Sequence, residues 1–245
     1  MIYIAKDFTD TAIIDYENEL KINQLDKNSL ADPNIHPTMK GKDVYDQVRS
    51  FNNFKRLKDK MFQAQGGICC YCGQILKFLD NPPYIVEHVH PKESCRELAG
   101  EYENLLLSCR PTNEEEESRM KAGRKCNNFW HCDKSKESEI LTYTPLQSDC
   151  NIHFIYYESG DIEGCDEAAK EDIKTLGLNC DYLIKRRKEA IFAVLYDENG
   201  QLLPNDILEK YLSIVMQRKA DNTLREFCFV IAGALNNFLY NKASL

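Results

Sequence analysis

The sequence has 245 residues, 43% of them hydrophobic and 29% charged, and its formal net charge is −8. This hydrophobic content suffices for an ordinary core in one large domain or two small ones, and the acidic balance argues against a protein that coats nucleic acid by bulk attraction. No run of about 18 apolar residues could cross a bilayer, so we expect a cytoplasmic protein with no membrane partner.

The apolar spacing along the chain predicts an α+β fold, because short alternating segments mix with longer stretches of helical periodicity. The predicted elements, in chain order, are an edge strand at 1–6, a helix at about 42–65, a cysteine-rich section at 68–136, a strand entering a hairpin at 152–157, and helices at about 166–196, 204–220 and 222–243. We divide the chain into an N-terminal strand and helix (1–65), a core (66–137), and a hairpin with a helical C-terminal region (138–245).

Two local runs of positive charge stand out against the acidic total. Residues 40–60 hold seven basic and three acidic side chains, and residues 119–136 hold six and one. A single run of this kind is usually a solvated face. Two runs beside one cysteine-rich region weaken that interpretation.

The eleven cysteines are odd in number and widely spread, which favours a metal site and free thiols over a disulfide framework. Cys69 and Cys72 form a C-x2-C pair followed by Gly73, the spacing of a turn whose two thiolates bind one zinc ion. A redox role for the pair is disfavoured, since no βαβ pattern surrounds it. The downstream candidates for the remaining zinc ligands are Cys109, Cys126 and Cys132, with His131 as a competitor.

A second cluster of polar residues lies between these cysteines. The segment IVEHVHPKE closes a predicted strand with Glu87, His88, His90 and Pro91, and Asn104 precedes an apolar run in YENLLLSC. A neutral imidazole can accept a proton near pH 7, and carboxylate oxygens are the ligands that hard divalent cations prefer. Phosphodiester hydrolysis requires both a base and charge neutralisation.

The order of these residues resembles the HNH nucleases, in which C-x2-C, an acidic residue with His, an Asn before an apolar run, and further Cys and Lys residues follow one another. The matching positions are Cys69, Cys72, Glu87, His88, Pro91, Asn104, Cys109, Cys132, Asp133 and Lys136. The stretches GGICCYCG, VEHVHPKE, YENLLLSC, HCDKSK and LGLNCDYLIKRRKEAI resemble, more closely, the PtuB family of Septu and retron-linked anti-phage systems.

This resemblance implies a zinc-pinned ββα-metal core and a role for each matched residue. His88 would be the general base, Glu87 and Asp133 would hold catalytic magnesium or manganese, and Asn104 would orient His88. Structural zinc would be bound by Cys69, Cys72, Cys109 and Cys132, and substrate by Lys92 and Lys136. The 22 residues between Cys109 and Cys132 replace the usual two, so Cys126 with Asn127 stays open as the alternative to Cys132 with Asp133.

The resemblance also implies a function, a DNA-cleaving effector that works with a PtuA-like ATPase. The chain has no GxxxxGK[ST] loop, so nucleotide use would come from that partner. Two alternatives stay open: cleavage of tRNA or other RNA in a retron-type system, and a non-catalytic adaptor in which zinc is purely structural.

Overall fold

The computed structural model describes residues 1–76, 84–110 and 130–240. Within these ranges the helices are α1 Thr11–Ile22, α2 Lys27–Ala31, α3 Gly41–Val48, α4 Phe54–Ala64, α5 Asp133–Lys136, α6 Glu167–Thr175, α7 Asp181–Leu195, α8 Asn205–Ile214 and α9 Cys228–Tyr240. Single 3₁₀ turns lie at Arg96–Leu98, Tyr102–Asn104 and Cys150–His153. With two small sheets added, the chain has the mixed character expected of an α+β fold. Among the described helices, none combines the length and apolar character needed to span a membrane.

Both sheets are antiparallel pairs of strands. β1 (Tyr84–His88) pairs with β2 (Leu105–Cys109), which places His88 opposite Leu105. β2 is buried along its whole length, so the sheet is fixed by its inner strand while part of β1 reaches the surface. β3 (Phe154–Tyr156) and β4 (Ile162–Gly164) form the second pair and confirm the predicted hairpin.

The predicted edge strand at 1–6 is wrong, because these residues are not in a strand. Met1 and Ile4 are buried, and a spacing of three residues does not match the alternation of a strand. The segment is held by single contacts instead of a ladder: the Ile4 amide donates to Pro145 O at 2.7 Å, and the Lys6 ammonium donates to Leu105 O.

The helix predicted at 42–65 is two helices, α3 and α4. The chain breaks at Ser50–Asn53, where polar residues compete with helical hydrogen bonding. The Glu19 carboxylate of α1 accepts from the Asn52 and Asn53 amides, both at 3.2 Å, and so satisfies the backbone donors at the start of α4. α3 and α4 can therefore pack at an angle, and both border the site described below.

The C-terminal half contains helices where they were predicted, but each is divided or shorter than expected: α8 ends at Ile214 rather than at 220, and α9 begins at Cys228 rather than at 222. The stretch 166–196 divides into α6 and α7 at Gly177, whose φ of +58° suits glycine and where an added Cβ would be 2.3 Å from Trp130 O. α8 begins after Pro204, and α9 is followed to Tyr240. The expected continuation of the last helix to 243 falls outside the described residues.

Candidate active site and metal centre

Four buried cysteines meet at one point. The Sγ atoms of Cys69, Cys72, Cys109 and Cys132 all lie within 4.8 Å of one another. The Cys69–Cys132 and Cys72–Cys109 sulfur pairs are each 3.7 Å apart. A zinc–sulfur distance of about 2.3 Å sets the edge of a tetrahedron at about 3.8 Å, whereas a disulfide would need about 2 Å. The donor set therefore fits one structural metal such as zinc.

Three separate elements bring these sulfurs together. The turn after Ile68 is closed by the Cys69 amide, which donates to Gln74 O at 2.8 Å, and Gly73 adopts the positive φ of +82° that the turn requires. Cys109 ends β2. Cys132 precedes α5 at a φ of +57°, a strained conformation for a residue with a side chain, and its amide donates to Leu176 O at 2.8 Å. The structure brings together the four cysteines expected from the resemblance; Cys126 and Asn127 lie outside the described residues.

His131 lies against this cluster. Its Nδ1 is 3.3 Å from the Cys132 sulfur and 3.6 Å from the Cys109 sulfur, and its ring stacks parallel to Tyr182 at 6.0 Å between centroids. An Nδ1–H in this position would donate to thiolate sulfur. The four sulfurs complete a tetrahedral set without His131.

Next to the cysteine cluster, two carboxyl groups face each other. Glu87, near the end of β1, is close enough to Asp133, the first residue of α5, for the two carboxyl groups to interact. The Tyr71 hydroxyl donates to Glu87 Oε1 at 2.7 Å, and the Lys136 ammonium lies 2.9 Å from the same oxygen. Burial, reinforced by Asp133, raises the pKa of Glu87 to about 8 even though Lys136 opposes the shift.

The carboxyl pair brings oxygen ligands together at one point of the cleft. Two facing carboxylates repel unless a proton or a cation lies between them, and the raised pKa of Glu87 expresses that repulsion together with burial. Tyr71 and Lys136 both contact Oε1 of Glu87. Oxygen ligands of this kind suit magnesium or manganese.

His88 follows Glu87 and is oriented from two sides. Its Nε2 is 3.0 Å from the backbone oxygen of Ala99, and the Tyr45 ring packs edge-on at 4.6 Å between centroids. Because a carbonyl only accepts, Nε2 carries the hydrogen and Nδ1 keeps its lone pair. Burial and, secondarily, Lys92 lower the pKa of His88 to about 4, so the imidazole is neutral near pH 7.

Asn104 holds the loop that carries the Ala99 acceptor. Its side-chain amide donates to His90 O at 2.9 Å and Leu98 O at 3.1 Å, and its oxygen accepts from the His90 amide at 2.7 Å. The side chain is 1% exposed, so these bonds have little competition from water. Asn104 thus links the backbone at His90 to the backbone at Leu98, next to Ala99.

Glu87, His88 and Asp133 open into a cleft of about 370 Å³. Its charged lining residues are Arg49, Lys58, Lys92, Arg110, Glu87, Glu93, Asp133 and Glu137. Lys92 thus reaches the cleft, where a substrate could contact it.

Lys136 and His90 occupy positions that the sequence did not indicate. Lys136 is 1% exposed, and it contacts Glu87 and donates to His88 O at 3.0 Å. That position supports Glu87 and gives no support to a direct contact with substrate. His90 is exposed, but β1 ends at His88, so the two do not share a strand face as expected.

Three contributors to this site were not predicted from the sequence: Tyr71, Tyr45 and the Ala99 carbonyl. Tyr71 lies inside the C-x2-C motif, so its closeness to the metal centre could have been predicted from the sequence. Its contact with Glu87 could not, because that contact depends on the sheet register. Tyr45 comes from α3, and a backbone oxygen carries no residue-type signal at all.

Comparisons with known proteins do not assign the chain: no family model matches it, and no curated protein matches it at a significant level.

Proposed function

We propose that the protein is a metal-dependent HNH endonuclease that hydrolyses phosphodiester bonds of DNA, acting as the effector of an anti-phage defence complex with a PtuA-like ATPase. The observation that carries the proposal is one cleft in which the neutral, oriented His88 lies beside the Glu87–Asp133 carboxyl pair. A base next to an oxygen-ligand pair is the combination that metal-assisted hydrolysis needs.

The proposed chemistry follows from the hydrogen bonds of His88. Nδ1 accepts a proton from water as the water attacks phosphorus, the bond from phosphorus to the leaving sugar oxygen breaks, and that oxygen takes a proton from solvent. The Nε2–H bond to Ala99 O stabilises the positive charge that develops on the ring. Lys136 and Tyr71 hold Glu87 in place. A divalent cation bound at Glu87 and Asp133 would neutralise charge on the phosphate oxygens.

The local architecture also supports the HNH interpretation. Two antiparallel strands, β1 and β2, precede the one-turn helix α5, and the cysteine cluster anchors β2 and α5 through Cys109 and Cys132. Helix α5 then carries Asp133 and Lys136 to the end of β1. This is the order of elements that a zinc-pinned ββα-metal core would have.

The deciding experiment is a cleavage assay on plasmid DNA and on total tRNA, with magnesium or manganese, with and without the candidate ATPase. Wild type is compared with His88→Ala and, as a matched control, with His90→Ala, which removes an exposed histidine two residues away. We expect DNA cleavage that disappears in His88→Ala and persists in His90→Ala.

The other outcomes each select a different function. Cleavage of tRNA alone, with the same dependence on His88, would make the protein an RNA-cleaving effector. No cleavage of either substrate with the partner present, at full zinc content, would leave the adaptor as the better hypothesis.

A further inference from the structure

One wall of the cleft is lined by Phe54 and Lys58 of α4, and ring contacts link the two ends of this helix to the two ends of β1. At one end Phe54 packs on Tyr45 at 6.0 Å, and Tyr45 packs on His88 at 4.6 Å. At the other end the Phe62 ring lies 6.2 Å from that of Tyr84, the first residue of β1. Eight residues of helix and four of strand both span about 12–13 Å, so the two elements match in length.

Basic side chains occur at intervals along this path. Lys58 stands midway, four residues from both Phe54 and Phe62 and therefore on the same helix face, with its ammonium 5.5 Å from the Phe54 ring. Arg49 is at the His88 end, where its guanidinium lies 5.8 Å from the Tyr45 ring. Arg110 directly follows Cys109, the partner of Tyr84, and so marks the opposite end.

Arg49, on the α4 side of the cleft, is more exposed than Lys92, which also lines the cleft. Arg49 has an exposed side chain, and its ion pair with Asp46, at 3.6 Å, is itself exposed and therefore weak. Lys92 forms an ion pair with the neighbouring Glu93 at 3.2 Å, and the Lys92 side chain is 26% exposed. The α4 side of the cleft therefore offers more exposed positive charge than the side near Lys92.

We propose that the groove between α4 and β1 is a binding track for the phosphate backbone of a nucleic-acid strand, with Arg49 and Lys58 contacting successive parts of that backbone. The assignment to nucleic acid rests on the proposed function. The track, about 12–13 Å long, has room for a few consecutive phosphates of one strand. A nucleic-acid strand bound in this track would lead from the carboxyl pair past Lys58 toward Arg110.

The track contacts phosphate and does not read bases. Its aromatic residues Phe54 and Tyr84 are 5% and 8% exposed, so their faces are used in packing and are closed to stacking. Phosphate contacts position a strand but carry no sequence information. Binding is therefore independent of sequence and strongly weakened by salt.

The test measures binding separately from cleavage. Fluorescence anisotropy follows labelled single-stranded DNA, duplex DNA and RNA of one sequence, at several salt concentrations, in a His88→Ala parent that cannot cleave under the proposed function. The test variant adds Arg49→Ala and Lys58→Ala to this parent. The matched control variant adds Lys42→Ala and Lys55→Ala instead. The control removes the same charge from exposed positions of α3 and α4 outside the cleft.

We expect the Arg49/Lys58 variant to bind at least about tenfold more weakly at low salt, as for the loss of charged hydrogen bonds, while the control stays within about twofold. The slope of log K against log salt should shrink by about 0.7 for each phosphate interaction removed on a single strand and about 0.9 on a duplex. The nucleic acid with the largest difference between the two variants identifies the substrate type.

The proposal is overturned if the Arg49/Lys58 and control variants weaken binding equally, or if the parent binds none of the three probes at low salt. If Arg49→Ala and Lys58→Ala leave the cleavage rate at the wild-type value, the binding track is refuted while the nuclease proposal stands. Binding that depends on both residues, in a protein that never cleaves, would keep the track and refute the nuclease.

Discussion

The Nε2 atom of His88 lies 3.0 Å from the backbone oxygen of Ala99. This contact assigns the hydrogen to Nε2 and leaves the basic lone pair on Nδ1, which is the arrangement a general base needs. Ala99 follows a loop that Asn104 holds by three side-chain hydrogen bonds. The orientation of the base thus depends on an amide side chain that does not touch it.

Replacing Asn104 by Ala should therefore impair the proposed catalysis through the position of His88. We expect kcat to fall about 10–100-fold, as for the loss of an orienting residue, with little change in KM. Unfolding free energy should fall by about 2–4 kcal/mol, because buried backbone groups lose their partners. Thermal unfolding and steady-state kinetics measure the two effects.

Asn104→Asp gives the matched comparison, because it keeps an acceptor for the His90 amide but loses the donors to His90 O and Leu98 O. It should not restore kcat. Wild-type kcat in Asn104→Ala, at unchanged zinc content, would contradict the orienting role.

Lys136 should contribute to stability through its buried ion pair with Glu87. Lys136→Met leaves the Glu87 carboxyl without its cation, which costs about 3–5 kcal/mol when the carboxylate stays ionised. Because the pKa of Glu87 is already raised to about 8, the group can take up a proton at lower pH and relieve that cost. The destabilisation should therefore be larger at pH 9 than at pH 6, measured by denaturant unfolding.

A double-mutant cycle isolates the ion pair. Lys136→Met with Glu87→Gln removes both charges, so it should recover most of the stability lost by Lys136→Met alone and lose the dependence on pH. A double variant as unstable as the single one would show that Lys136 acts through its contact with the His88 carbonyl instead.

The sequence indicated the chemistry of the site better than its scaffold. The C-x2-C spacing predicted Cys69 and Cys72 as one pair of zinc ligands, and the family resemblance, which kept Cys126 as an alternative, added Cys109 and Cys132; the structure brings these four sulfurs together. The break between α3 and α4 escaped prediction because it depends on Glu19, a residue of another helix. The burial of Lys136 was also not predictable, because it depends on contact with Glu87, a residue distant in sequence that the sheet register brings close.

The cysteine cluster predicts one zinc ion per chain, bound without Cys126. Cys109→Ser or Cys132→Ser should lose the metal, whereas Cys126→Ser and the half-exposed Cys95→Ser should keep it. Metal content by atomic absorption on the purified variants gives the count. Retention of zinc in Cys132→Ser together with its loss in Cys126→Ser would exchange the two assignments and make Asn127 the neighbouring candidate ligand.

Removing the zinc should also disable the candidate active site. Structural zinc supplies on the order of 10 kcal/mol, comparable with the whole stability of a domain, and Asp133 directly follows Cys132. A chelator should therefore lower the unfolding temperature sharply and abolish cleavage even with excess magnesium. Stability unchanged by complete removal of zinc would contradict a structural role for the cluster.

The two shifted pKa values predict how the proposed activity depends on pH. His88, with a pKa of about 4, stays neutral from pH 8 to pH 6, so protonation of the base should not slow the reaction in that range. Glu87, with a pKa of about 8, is protonated below that pH in the absence of metal, so protons compete with the cation. Magnesium affinity should then fall by up to about tenfold for each pH unit below 8.

Cleavage rates measured against magnesium concentration at pH 8, 7 and 6 separate the two groups. At saturating magnesium the rate should be nearly constant, while the half-saturating concentration should rise as the pH falls. The stability of the metal-free protein should also depend on pH. Because the pKa of Glu87 is raised in the folded state, its protonated carboxyl contributes stability in full below about pH 4.5, and that contribution is lost as the pH rises through 8. Glu87→Gln should remove this part of the stability profile. A saturated rate that falls with a midpoint near pH 6.5 would show that His88 titrates as an ordinary exposed histidine and would contradict its assigned environment.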